Sequence, residues 1–116
     1  MALPKQNRLK GKREFTKIFT EARPAVSRNF FLRVSRGPSG NTSKFAVVVP
    51  AKLVALATAR NLLRRRTSEV IARVIRASSV VPGISAVVSV RTKRLPDAAA
   101  LEYELLSLMK KSGILN

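Results

Sequence analysis

Lys44-Phe45-Ala46-Val47-Val48-Val49-Pro50 and, after a short link, Arg60-Asn61-Leu62-Leu63-Arg64-Arg65-Arg66-Thr67-Ser68-Glu69 form the stretch on which the fold turns. The first run is apolar at consecutive positions, which predicts a strand buried on both faces and therefore central in a sheet. Pro50 ends it. Residues 53 to 77 then read as one helix, and four arginines fall within seven of its residues. Arginine at that density must be solvated or matched by an anion. Because the run sits between a strand and an amphipathic tail, it is built into the fold and is not a loose basic arm.

At about 100° per residue, Leu63, Val70, Ile71 and Val74 gather on one side of this helix and Arg65, Glu69, Arg73 and Arg76 on the other. Arg60 and Arg64 point close to the direction of Ile71, so the first turns are expected to run past the sheet edge or line a groove. Arg65 lies roughly 100° from Arg64, which divides the cluster into two surfaces.

Composition decides what kind of partner this is. The 23 Lys and Arg against six acids give +17, a self-repulsion that a polyanion relieves. Nucleic acid is the expected partner, through phosphate neutralisation. No apolar run reaches the roughly 18 residues of a spanning helix, and no apolar segment follows the basic N-terminus as a secretory signal requires. The expected location is cytoplasmic, with neither a membrane nor a small-molecule partner. There is no Cys and no His, which removes thiolate metal sites and the commonest general base. The acids Glu14, Glu21, Glu69, Asp97, Glu102 and Glu104 are scattered, and Glu102 and Glu104, two apart on a predicted helix, do not share a face. A protein-borne acid–base or metal site is not expected. With 116 residues the chain reads as a single RNA-binding domain, long enough for one core.

Working outward, residues 1 to 10 form a basic N-terminal arm carrying Lys5, Arg8 and Lys10. Phe15, Ile18, Phe19 and Ala22 have the spacing of an amphipathic helix, which Pro24 stops. Phe15 and Phe19 share a face and could stack on unpaired bases or serve as core. Residues 25 to 35 alternate Arg28, Phe30, Leu32 and Val34 against Asn29, Phe31 and Arg33, the pattern of a half-buried strand. Residues 37 to 43 are a turn by composition and predict an antiparallel hairpin with the Lys44 strand. Pro82-Gly83 marks another turn. Ile84 to Val90 is a third strand, and Pro96-Asp97 opens a last helix, Ala98 to Lys111, that Gly113 stops.

Arg8-Leu9, the Phe15 and Phe19 helix, Ser27-Arg28-Asn29-Phe30, the apolar strand running towards Lys52, Arg60-Asn61 with its following basics and Glu69, and Ala86-Val87-Val88-Ser89-Val90-Arg91 together closely resemble the bacterial ribonuclease P protein component. The arginine-rich element is similar to that family's R-N-R-x-K-R-x-x-R-E signature, with Arg60, Asn61, Arg64, Arg65 and Glu69 in register. Leu62 stands at its second arginine, Ser68 at a later one, Ala51 at one of two lysines, and Arg33 where an aromatic ring is common.

The resemblance implies an α+β fold: an α-β-β-α-β-α sandwich with a mostly antiparallel central sheet and a left-handed βαβ crossover. It implies the protein subunit of a ribonucleoprotein endoribonuclease, in which RNA carries the hydrolysis and holds most of the Mg²⁺. The implied partners are the ribonuclease P RNA and precursor tRNA. Arg60, Asn61, Arg64, Arg65 and Arg66 would contact the catalytic RNA. Phe15, Phe19, Phe30, Arg33 and Lys52 would form the cleft for the single-stranded 5′ leader, and Arg8 and Lys10 of the arm would lie on a phosphate backbone. The competing reading is a structural ribosomal-type RNA-binding protein.

Overall fold

The computed structural model describes residues 7–9, 12–36, 43–77 and 83–115. The elements run α1 (Lys12–Glu21), β1 (Ala25–Val26), β2 (Phe30–Arg36), β3 (Lys44–Val48), α2 (Ala57–Ala77), β4 (Ile84–Val90) and α3 (Ala98–Lys111). Most of the turn expected at 37–43, Pro82, Lys10 and residues 1–6 lie outside the described residues.

The strands form one sheet in the order β1-β2-β4-β3. β1 pairs with β2 and β2 with β4 antiparallel, whereas β3 and β4 are parallel. The sheet is therefore mostly antiparallel, as expected. Its pairing corrects two sequence expectations. β2 and β3 are not a hairpin, because β4 inserts between them. β3 is accordingly not central: Ala46, Val47 and Val48 are only half-buried, while Ala86 through Val90 are all buried. The outer side of β3 is met by the arm, where Leu9 N–H donates to the Phe45 carbonyl at 2.8 Å and Asn7 Nδ2 to the Ser43 carbonyl at 2.8 Å.

The run 25 to 35 also divides. It folds as a tight hairpin, β1 and β2 flanking Ser27-Arg28-Asn29, with Ser27 N–H donating to the Phe30 carbonyl at 2.9 Å. α3 fixes this turn from outside. Glu104 accepts from Ser27 Oγ at 2.5 Å, from the Asn29 amide at 2.8 Å and from Asn29 Nδ2 at 2.6 Å. Glu102, two residues earlier, instead faces Arg73 of α2, with Nε 3.5 Å from its carboxylate.

Two cores result from the strand alternation. Phe30, Leu32, Phe45, Ile84, Ala86, Val88 and Val90 meet Leu63, Val70, Ile71 and Val74 of α2 and Leu101, Leu105, Leu108 and Met109 of α3. On the opposite face Ile18 of α1, Val87 and Leu9 form a smaller cluster joined by Phe15, Ala22, Ala46 and Val48. Local signals set the helix ends. Asp97 caps α3, its carboxylate accepting from Ala100 N–H at 2.9 Å, and Gly113 takes φ 76° past its last turn, which a Cβ would oppose. α2 begins later than the periodicity suggests, because the Pro50 carbonyl accepts from Leu53 and Val54 N–H, both at 3.0 Å, and turns the chain before the helix can start.

Candidate nucleic-acid interface

α1 crosses one face of the sheet and leaves part of it open. The register sets Phe31 beside Ser89 and Val48, and Arg33 beside Val87 and Ala46, so all six share the α1 face. Ile18 closes down on Val87. Phe19, one residue further along α1, is 43% exposed, and the Arg33 guanidinium carbon lies over its ring at 4.9 Å from the centroid. A second such stack stands on the same face, with Arg91 over Phe31 at 4.7 Å. Arg91 is anchored there: its backbone N–H donates to the Asn29 carbonyl at 2.8 Å and its guanidinium to the Ser27 carbonyl.

Arg33 has a further feature. Its Nε is buried and finds no hydrogen-bond acceptor among the described residues, a costly state for a donor. The two stacks together offer rings and guanidinium planes for bases and positive charge for phosphates, the combination that single-stranded nucleic acid uses.

The leader-cleft set is thus only partly assembled. Phe15 is half-buried in the small core, Phe19 and Arg33 meet, and Lys52 is exposed in the turn just beyond β3, past the row containing Val48, Ser89 and Phe31. Phe30 does not belong. It is 0% exposed in the large core under α2 and α3, because consecutive strand residues point to opposite faces. Phe31, in phase with Arg33, stands on the α1 face instead. Sequence reasoning missed it and Arg91, although Phe31 is in phase with Arg33, and that phase was the available signal.

A second concavity of about 370 Å³ opens beyond the β3 edge, lined by Arg8, Leu9, Phe15, Ala46, Arg64 and Arg65 among others. Arg64 Nη1 also donates to Asn61 Oδ1 at 2.8 Å. The expected division of the arginines into two RNA-facing surfaces is replaced by a different one. Arg64 and Arg65 line the same groove. Arg60 Nη1 donates to the carbonyls of Val54 at 3.0 Å and Ala55 at 2.7 Å, bracing the link before α2. Arg66 Nη2 donates to the Pro96 carbonyl at 2.7 Å, tying α2 to the loop before α3. Leu62, at the signature's second arginine, is 55% exposed, so that departure leaves an apolar side chain on the surface. Among the described residues no three acids converge as metal ligands, and no helix is long and apolar enough to cross a membrane.

Comparison with known proteins bears on the family. A family model described as Ribonuclease P matches residues 3–113. The ribonuclease P protein component of Synechocystis sp. is 29% identical over 121 residues, covering 100% of this chain and 93% of that protein. The RNase P protein structure from Thermotoga maritima superposes with a TM-score of 0.75 at 28% identity, covering 90% of this chain and 96% of the other. That from Staphylococcus aureus gives a TM-score of 0.79 at 19% identity, with 95% and 98% covered, a likeness of fold. The ribosomal reading is not favoured by these matches. The chain belongs to the ribonuclease P protein family, the protein subunits of a ribonucleoprotein endoribonuclease with an RNA partner.

Proposed function

We propose that this subunit holds the single-stranded 5′ leader of precursor tRNA across the α1 face of the sheet while the Arg64–Arg65 groove engages the catalytic RNA. The observation that carries the reading is the pair of arginine–aromatic stacks on one face, Phe19 with Arg33 and Phe31 with Arg91. Unpaired bases stack on such rings, whereas a paired stem offers no free base faces. Arg8, Arg64 and Arg65 supply phosphate neutralisation at the adjoining groove. Arg60 and Arg66 support the same helix through the loop carbonyls they hold, and Asn61 through Arg64.

On this reading Mg²⁺ sits on RNA phosphates. Among the described residues no three acids converge as metal ligands. The protein's share is to bind, orient and offset charge, in the cytoplasm. The test is leader removal by a ribonuclease P RNA at graded Mg²⁺, with and without the protein. The protein should lower the Mg²⁺ needed. Identical Mg²⁺ dependence in both arms defeats the proposal.

A further inference from the structure

The edge of the sheet away from β3 carries a larger groove, about 790 Å³, that neither RNA surface above uses. Val26 and the hairpin turn form one wall, the Arg94-Leu95-Pro96 loop the end, and α3 from Ala100 to Lys111 the other wall. Arg28, Arg94 and Lys111 stand around it, all exposed. Glu104, the one acid among the described lining residues, has both carboxylate oxygens engaged by Ser27 and Asn29, so its charge is directed at the hairpin.

Two further properties bear on the occupant. Tyr103 is 75% exposed and Val26 45%, which puts an open ring and apolar surface among the cations. The walls are also held before anything binds. Glu104 pins the hairpin turn, Thr92 Oγ1 donates to Asn29 Oδ1 at 2.9 Å, and Arg66 fixes the Pro96 carbonyl at 2.7 Å. Cations with an exposed ring over an apolar floor suit an unpaired nucleotide, phosphate to the charges and base to the ring. A second copy of the chain fits poorly, since each copy carries +17 and like charge opposes close approach.

We propose that this groove is a further RNA-binding site, in which an unpaired nucleotide stacks on Tyr103 while Arg28, Arg94 and Lys111 hold its flanking phosphates. It lies at the sheet edge opposite the Arg64–Arg65 groove, so one subunit would touch RNA at both edges of its sheet. The proposal needs an RNA partner and does not depend on where the leader lies.

The test places the photo-crosslinker p-benzoylphenylalanine at Tyr103 in the full chain, assembled with ribonuclease P RNA and precursor tRNA carrying different labels. Irradiation should give an RNA adduct, and the label identifies which RNA supplies the nucleotide. The same probe at Phe19 serves the leader reading separately: no leader adduct at Phe19 with an RNA adduct at Tyr103 sinks that reading and leaves this one standing. An adduct at Tyr103 only to a second copy of the protein, or none to RNA, overturns the groove whatever Phe19 reports. As a second measurement, Tyr103→Ala should weaken assembly with the crosslinked RNA about fivefold or more, and Arg94→Ala should lower the slope of log affinity against log salt by roughly 0.7 to 0.9. Affinity within about twofold of the parent for Tyr103→Ala, together with an unchanged slope for Arg94→Ala, also overturns it.

Discussion

Phe30 and Phe31 are consecutive and chemically identical, yet they belong to different halves of the molecule. Phe30 lies on the α2–α3 face, where two long amphipathic helices cover the sheet with aliphatic side chains. Phe31 lies on the α1 face, where a ten-residue helix covers less and arginines pack over the rings left beside it. The first face is organised by removal of apolar area from water. The second keeps polarisable surface and charge within reach of a ligand. One strand therefore serves a closed core and, on the proposed reading, a recognition surface through a one-residue step.

The sharpest way to break this contrast is to truncate each ring in turn. Phe30→Ala should cost about 3–5 kcal/mol of stability in urea unfolding, the usual range for a buried phenylalanine. Phe31→Ala should cost about 1 kcal/mol or less, its ring being partly exposed. Equal shifts of the midpoint would mean that the two faces are energetically alike. On the recognition side, Phe19→Ala should weaken binding of leader-bearing precursor by roughly 1–3 kcal/mol relative to mature tRNA, the worth of one base stack. Equal loss for both substrates would return Phe19 to the core. The smallest effects separate two arginines only two residues apart. Arg64→Ala should reduce the salt slope of RNA assembly by about 0.7 to 0.9, one phosphate contact. Arg66→Ala should leave that slope nearly unchanged and lower stability by about 1 kcal/mol through the lost Pro96 contact. A reversal of the two would reassign which of them faces RNA.

The elements themselves were legible in the sequence. α1 and α3 announce themselves by apolar spacing with Pro24, Asp97 and Gly113 at their ends, and β4 by a continuous apolar run. Strand partnership was not. A turn-rich link between β2 and β3 suggests a hairpin, because sequence neighbours usually pair. The competing fact is that Ala86 to Val90 is buried throughout and needs a neighbour on each side, while β3 has the arm against its outer side. The site was legible as a charge density and as an aromatic helix face. Its partition was not, since the carbonyls of Val54, Ala55 and Pro96 that engage Arg60 and Arg66 lie in loops whose path no periodicity encodes. The choice between Phe30 and Phe31 was legible, since two-residue alternation sets Phe31 in phase with Arg33 and Phe30 with Leu32 and Val34.

The place of β4 also governs how the chain acquires its shape during synthesis. Among the described residues β2 and β3 exchange no ladder bonds with each other, and β4, residues 84 to 90, pairs with both. A nascent chain that has emerged only as far as residue 77 can form the β1–β2 hairpin and its helices, but no sheet that unites them. Closure must wait for a late segment to enter between two earlier ones, a non-local step of the kind that slows folding. Any binding that depends on the folded geometry of both sheet faces therefore requires that last strand to be seated.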